Sequence, residues 1–300
     1  MLKVLNKQMI IVKLMGGLGN QMFQYAAGRA LALTYSCELK LDLNFFQDLR
    51  NKPKDYVVRD YDLDIFNLQV SMATTEEVNE LTKRSSNKTI DRALNKVLGL
   101  KDSYFKQPHF HFVESFFSKR PSQYLDGYWQ SEKFFKPFES VIRNDFTFQN
   151  MIPENSRELT HEILKSNAVC VNVRRGDFVV NKMHGALDIS YYNNADERMR
   201  SKINDPVYYV FSDDIEWCKD SLQFLSPVKF ISHSHAGKKF SRYLQLMSLC
   251  KHFIIPNSTF GWWAAWLNND PDKIVIAPKN WFGDGPKDTQ DIIPDSWVRI

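Results

Sequence analysis

Val169-Cys170-Val171-Asn172-Val173-Arg174-Arg175-Gly176-Asp177-Phe178 decides the fold class of this 300-residue chain. Val169, Val171 and Val173 form a short β-branched apolar run that reads as a buried strand. Two adjacent arginines, a glycine and an aspartate stand where that strand ends. In open α/β sheets ligands bind outside the carboxyl ends of the strands, at switch points of the topology. Paired guanidinium forks at such a mouth suit a doubly charged, multi-oxygen anion, because each offers bidentate donors and stays charged at any working pH. A diphosphate is the natural guest. For an isolated Arg-Arg-Gly-Asp, a solvated surface pair beside Asp177 is an equal alternative.

A second stretch tilts the balance. Phe253-Ile254-Ile255-Pro256-Asn257-Ser258-Thr259-Phe260-Gly261 reads as an apolar strand and a polar turn, and Trp262-Trp263-Ala264-Ala265-Trp266-Leu267 continues it as a helix. Asn257, Ser258 and Thr259 are all N-cap residue types, and Gly261 lets backbone approach a ligand. The amino end of a helix presents unpaired N–H groups and a positive dipole end, a ready phosphate site. Alone this would be an ordinary capped core helix with tryptophan packing. Beside a basic strand mouth in the same half of the chain, a diphosphate cradle is the better reading.

The chain opens in the same style. Met9–Met15 reads as a strand, Gly16 to Gln21 as a turn, and Met22–Thr34 as a helix with small alanine faces, the start of a parallel α/β unit. Glu38–Leu43 follows as a strand. Gly17-Leu18-Gly19 invites a dinucleotide fingerprint, with Asp42 at about the expected distance, but Met22 stands where its third glycine belongs. Asn20 and Gln21 are neutral amides able to donate to a departing oxygen or to sugar hydroxyls, and Asn20 serves equally well as a helix cap. From about Asn44 to Lys136 the pattern is less regular, with helices and loops expected around Thr74–Asp91. A boundary is expected near Gln149–Asn155, where Pro153 breaks the pattern, giving lobes 1–152 and 153–300, with a tail able to pack back on the first. In the second half strands at 169–173, 207–211, 228–231, 252–255 and 273–277 alternate with helices at 190–202, 215–224, 240–251 and the Trp-rich segment, before an irregular tail. Such alternation predicts a doubly wound sheet.

Composition is that of an ordinary globular chain, 43% hydrophobic and 25% charged, and the 14% aromatic share is high. A net charge of +4 suits an anionic nucleotide or a peripheral encounter with an acidic membrane surface. It carries no nucleic-acid motif. Cys37, Cys170, Cys218 and Cys250 have no paired spacing, no run reaches membrane-span length, and the start does not read as a signal peptide, so a cytosolic protein is expected. Phe211-Ser212-Asp213-Asp214 ends a strand with a hydroxyl and two acids, groups that accept from ribose hydroxyls or a base N–H. Asp213 and Asp214 are adjacent and point apart, Asp62-Leu63-Asp64 has no strand leading into it, and His109/His111 and His233/His235 lack a carboxylate array, so no metal is expected.

With these residues in view the chain resembles the bacterial α-1,2-fucosyltransferases, glycosyltransferase family 11. The N-terminal run Gly16 to Ala26, Gly127-Tyr128-Trp129-Gln130, Asn172-x-Arg174-Arg175-Gly176-Asp177, Phe211 to Asp214, Leu246-Met247-Ser248, Asn257 to Leu267 and Ile292 to Val298 match its blocks in order over nearly the whole length. The resemblance implies an α/β, GT-B-like enzyme: two Rossmann-type lobes facing across a cleft, with GDP-fucose held by the C-terminal lobe. It implies inverting, metal-independent transfer of L-fucose to the 2-hydroxyl of a galactosyl acceptor. The setting would be O-antigen-type polysaccharide assembly on a galactose-terminated, lipid-linked oligosaccharide at the inner face of the cytoplasmic membrane. A transferase for another GDP-sugar or linkage, or a non-catalytic sugar-binding protein, are the rival readings.

Site candidates follow residue by residue. Arg174 and Arg175 would offset charge on leaving GDP, with Asp177 as proton acceptor or arginine brace and Asn20 and His184 as further catalytic candidates. His184 titrates usefully near neutrality. Donor binding is assigned to Gly17, Gly19, Asn172, Arg174, Arg175, Ser212, Asp213, Asp214, Asn257, Ser258, Thr259 and Phe260, and acceptor binding to Gln21, Asp126, Tyr128 and Trp129, with Asp126 and Glu132 as weaker base candidates. The chain departs from the family pattern at Asn172, where His is usual, at Tyr243, where Asp is usual, and at Gly261, where Ser is common. The first two are expected to be a linked replacement.

Overall fold

The computed structural model describes residues 8–47, 59–82, 103–118 and 121–300. The chain divides into two compact units, Met1–Thr147 and Phe148–Ile300. The first contains β1 (Met9–Lys13), α1 (Leu18–Thr34), β2 (Glu38–Asp42), the single turn α2 (Asn44–Gln47), β3 (Ser71–Met72), α3 (Thr75–Thr82), β4 (Tyr104–Lys106), β5 (Gln123–Asp126) and α4 (Glu139–Asp145). Its sheet is parallel, in the order β3-β2-β1-β5-β4. Ile10 and Val12, alternating with Ile11, are fully buried, because both faces of a parallel sheet are covered. Gly28 lets α1 lie close on one face: a Cβ there would stand 2.1 Å from Val12 Cγ2. Ile11 and Tyr124 pack with Val78 and Leu81 of α3. The stretch Thr74–Asp91, expected to form helices and loops, contains α3 among its described residues, and its residues 83–91 lie outside them.

The first helix begins four residues earlier than its hydrophobic spacing predicts, at Leu18. Gly17 is its N-cap and supplies no side-chain cap, so Asn20 and Gln21 sit inside the first turn, their N–H groups on the Gly17 carbonyl at 3.0 and 3.1 Å.

The second unit contains α5 (Arg157–Lys165), β6 (Asn167–Val173), α6 (Ile189–Arg200), β7 (Pro206–Ser212), α7 (Ile215–Ser221), β8 (Val228–Phe230), α8 (Ser241–Ser248), β9 (His252–Ile254), α9 (Thr259–Leu267), β10 (Val275–Ala277) and β11 (Val298–Arg299). The sheet is again parallel, in the order β11-β10-β9-β6-β7-β8. Val169, Val171 and Val173 pack under α6 and α7 with Tyr191, Ala195, Met199 and Cys218. The tail, expected to be irregular, adds the edge strand β11 to this sheet, and Trp297 packs on Trp262 at 5.4 Å. A two-residue strand leaves no period to read. Among the described residues no helix is long and apolar enough to cross a membrane.

Candidate active site

The order in which strands are added to the second sheet reverses between β6 and β9. From β6 the chain steps outward to β7 and β8, then returns to place β9 on the other flank, with Val171 opposite Ile254. The loops leaving those two neighbours therefore flank one crevice, the place where doubly wound sheets bind ligands. One loop carries Arg174 and Arg175; the other carries Pro256 to Thr259.

The two arginines are not equivalent. Arg174 donates from Nη1 to Asp213 Oδ2 at 2.7 Å and from Nη2 to Asp177 Oδ1, and lies 5.3 Å over the Phe178 ring. Both ends of its fork are already engaged by carboxylates. Arg175 donates its backbone N–H to Asp213 Oδ1 at 2.9 Å and its Nε to Asp214 Oδ2 at 3.2 Å, with its guanidinium 3.7 Å over Trp217. Its terminal nitrogens have no protein partner among the described residues. Arg175 opens on a cavity of about 660 Å³ that Phe178, Lys182, Leu187 and Trp217 also line. Gly176 is required here by close approach, since a Cβ would meet Asp213 Oδ2 at 2.5 Å.

The acids after β7, expected to accept from ribose hydroxyls or a base N–H, hold the arginines of the neighbouring loop. Asp213 braces both arginines; Asp214 holds Arg175 and caps α7 by accepting from the Trp217 N–H at 3.3 Å; Ser212 Oγ accepts from the Asp214 N–H at 2.9 Å. Asp177 likewise orients Arg174.

At the other loop Ser258 is the N-cap of α9, yet its side chain makes no capping bond. The first-turn N–H groups of a helix left this way remain available to an anion. Ser258 is buried, and Thr259 and Phe260 are half-buried. Asn257 is buried and turned elsewhere: Nδ2 donates to the carbonyls of His184 and Gly185 at 2.9 and 3.1 Å, while Oδ1 is buried without a partner among the described residues. Gly283 clamps the same loop by donating to Met183 and His184 carbonyls at 3.0 and 3.1 Å. His184 is stacked on Phe178 at 4.7 Å and tilted against Phe282 at 5.5 Å. Burial pushes the His184 pKa below its ordinary 6.5; Arg174 adds to the fall and Asp177 opposes it. His184 is thus neutral at pH 7 and able to accept a proton.

The expected exchange between Asn172 and Tyr243 takes a different form. Asn172 Nδ2 donates to the Phe211 carbonyl at 3.2 Å and Tyr243 Oη to the Ile231 carbonyl at 2.7 Å, so each satisfies itself on a separate strand end. Phe211 lies between them: its carbonyl accepts from Asn172 and its ring meets Tyr243 edge-on at 5.2 Å. The tight neighbour of Asn172 is Gly261: a Cβ there would stand 2.6 Å from Asn172 Oδ1. Gly261, read from sequence as a place where backbone approaches a ligand, makes room for Asn172.

Residues assigned from sequence in the first unit divide sharply. Gln21 is fully buried; Nε2 donates to the Gly16 and Asp60 carbonyls at 3.0 and 2.8 Å and Oε1 accepts from the Asp62 N–H at 2.9 Å. Its amide is taken up by these three backbone bonds. Trp129 is also fully buried, among Phe105, Phe116 and Phe134, and offers no stacking face. Gly17 and Gly19 lie in the cap and first turn of α1, with Gly19 buried. Asn20 accepts from Gln130 Nε2 at 2.9 Å. Asp126, at the end of β5, meets Lys13 Nζ at 3.2 Å and the Tyr104 hydroxyl. Tyr128 is half-buried, and Glu132 pairs with Lys136 at 2.8 Å. Sequence reasoning passed over Trp217 and Gln24. Trp217 was legible as the aromatic three residues past an Asp N-cap; Gln24, which grips both backbone atoms of Met15 at 3.0 and 3.2 Å, left no signal.

The model of Glycosyl transferase family 11 matches residues 73–300. The chain is 34% identical to an alpha-1,2-colitosyltransferase of Escherichia coli over 97% of its own length and 98% of the relative's. It is 30% identical to the O-antigen biosynthesis glycosyltransferase WbnK of Escherichia coli, over 96% and 99%. The structure of Arabidopsis thaliana FUT1 in complex with GDP superimposes with a TM-score of 0.53 at 14% identity, covering 97% of this chain and 76% of that one. That likeness concerns the fold, which is of the GT-B-like α/β class with two Rossmann-type units.

Proposed function

Because the chain belongs to glycosyl transferase family 11, we propose that this glycosyltransferase moves L-fucose from GDP-fucose to the 2-hydroxyl of a galactosyl acceptor, with inversion and without a metal. The observation that carries the reading is the open fork of Arg175 at the β6–β9 switch point, beside the uncapped start of α9. As the sugar–oxygen bond breaks, negative charge grows on the leaving diphosphate. Donors fixed in advance stabilise that charge without reorganisation. Arg175 is the group that meets it; Arg174, with both ends of its fork engaged, positions Asp213 and Asp177 and adds field. The carboxylates of Asp213 and Asp214 are taken up by arginines and a helix cap, which suits charge compensation by fixed cations instead of a metal. Neutral His184 is the proton acceptor this arrangement offers to the attacking hydroxyl.

A colitosyl group in place of fucosyl is the second reading, favoured by the similarity to the colitosyltransferase. The proposed setting is a lipid-linked, galactose-terminated acceptor at the inner face of the cytoplasmic membrane, supported by the O-antigen relative and a net charge of +4. Incubation with GDP-fucose or GDP-colitose and a panel of galactosides, with linkage read by NMR, tests the assignment. An α-1,2-fucosyl product is expected. Transfer of colitose alone moves the assignment to the second reading, and no transfer from either donor overturns it.

A further inference from the structure

We propose that Phe240 is the stacking plate for the nucleobase of the donor nucleotide, an inference that rests on the nucleotide-sugar reading above. Phe240 is a large apolar side chain left 41% exposed. Its backbone is left-handed, φ 57°, directly after Lys239 at φ 55° and three residues after Gly237 at φ 69°. Two successive non-glycine residues in that region are costly, and such strain persists only where the surroundings over-determine it. Here the strained turn holds an aromatic ring outward when burial would be the favoured fate of a phenylalanine.

What backs the ring is rigid. Phe240 packs on Tyr243 at 5.8 Å and on His233 at 6.0 Å, both near edge-to-face. Tyr243 is buried and anchored through its hydroxyl to the Ile231 carbonyl at 2.7 Å. His233 is joined through Nε2 to the Ser212 carbonyl at 2.9 Å. Ser212 ends β7, and the next residue, Asp213, braces both arginines. The plate is therefore built from the mouths of β7 and β8, next to the mouth of β6 where Arg175 stands. Neighbouring strands lie about 4.8 Å apart, so two steps across the sheet span roughly 10 Å, the reach of a nucleotide from its phosphates to its base. The outer face of Phe240 offers a π-surface to a planar heterocycle at that distance.

Calorimetric titration of GDP and of inorganic pyrophosphate into the wild-type chain, Phe240→Ala, Phe240→Gly and Phe240→Trp tests this. Stacking of a base on an aromatic ring corresponds to roughly a 5- to 100-fold change in affinity, so about a tenfold loss for GDP is expected in the alanine and glycine variants. Pyrophosphate affinity should stay constant and Phe240→Trp should bind GDP as the wild type does. Phe240→Gly relieves the left-handed strain, so it should keep its Tm while losing GDP affinity, a split that a purely structural role does not produce. Unchanged GDP affinity in both truncations overturns the proposal, and so does an equal loss for GDP and pyrophosphate. A wild-type chain that binds neither overturns the donor reading, and this inference with it.

Discussion

The turns after β1 and after β6 use polar side chains in opposite ways. After β1, Gln21 and Gln24 bind the backbone of the glycine turn, and the Gln21 amide makes three hydrogen bonds while fully buried. After β6, three carboxylates brace two arginines, yet Arg175 keeps its terminal donors free over a cavity. A buried amide that serves main-chain atoms stabilises a turn, and its loss leaves those atoms unpaired. A braced cation with open donors is charge prepared for a partner from solution. The chemistry of the residue type does not separate the two cases; the direction in which its hydrogen bonds run does.

The largest expected effect tests the open side of this contrast. Arg175→Ala should lower kcat/KM with GDP-fucose by roughly 10²- to 10³-fold, as loss of a charge-stabilising donor does, while the thermal midpoint changes little. Near-normal turnover would remove Arg175 from the reaction. Gln21→Ala should do the reverse. Taking the Gln21 amide from three part-buried backbone groups should cost about 2 kcal/mol of unfolding free energy, read by urea titration, with specific activity of the folded fraction kept. Lost activity at unchanged stability would place Gln21 in the site after all.

A smaller effect concerns pH. The folded pKa of His184 lies below its ordinary 6.5, because burial disfavours the charged ring. Protonation therefore favours the unfolded chain, so its contribution to stability is present above 6.5 and is lost as pH falls from 6.5 through the lowered folded value. Activity should fall over the same acid window as the ring charges, and His184→Gln should flatten that limb of the kcat/KM profile. An unchanged acid limb in the variant would assign the proton to another group.

The smallest effect sharpens the reading of Asn172. Gly261→Ala should destabilise by about 1 to 3 kcal/mol through overpacking against Asn172 Oδ1, and Asn172→Ala should relieve much of that. Such a cycle should be strongly non-additive, whereas Asn172 and Tyr243, held on separate carbonyls, should combine nearly additively. Additivity for the first pair and coupling for the second would reverse the assignment.

Much of this fold was legible because parallel strands buried on both faces write themselves as unbroken apolar runs, as at Val169–Val173 and Phe253–Ile255. Residue types also located the two loops of the crevice. What the residues could not show is division of labour within them. Arg174 and Arg175 are identical letters, and only the positions of Asp177, Asp213 and Trp217 make one a brace and the other a donor. Gln21 and Trp129 resemble ligand-binding residues in sequence because burial is a property of the assembled unit. The start of α1 was misplaced for a local reason: a glycine cap leaves no side-chain signal.

The sharpest single measurement is calorimetric titration of GDP into the wild-type chain and into Arg175→Ala. Removing a charged hydrogen-bonding fork from a phosphate should weaken binding about tenfold or more, with the folded state intact by thermal melt. Equal GDP affinity in the two proteins would show that the open fork at the β6–β9 crevice is not where the diphosphate sits.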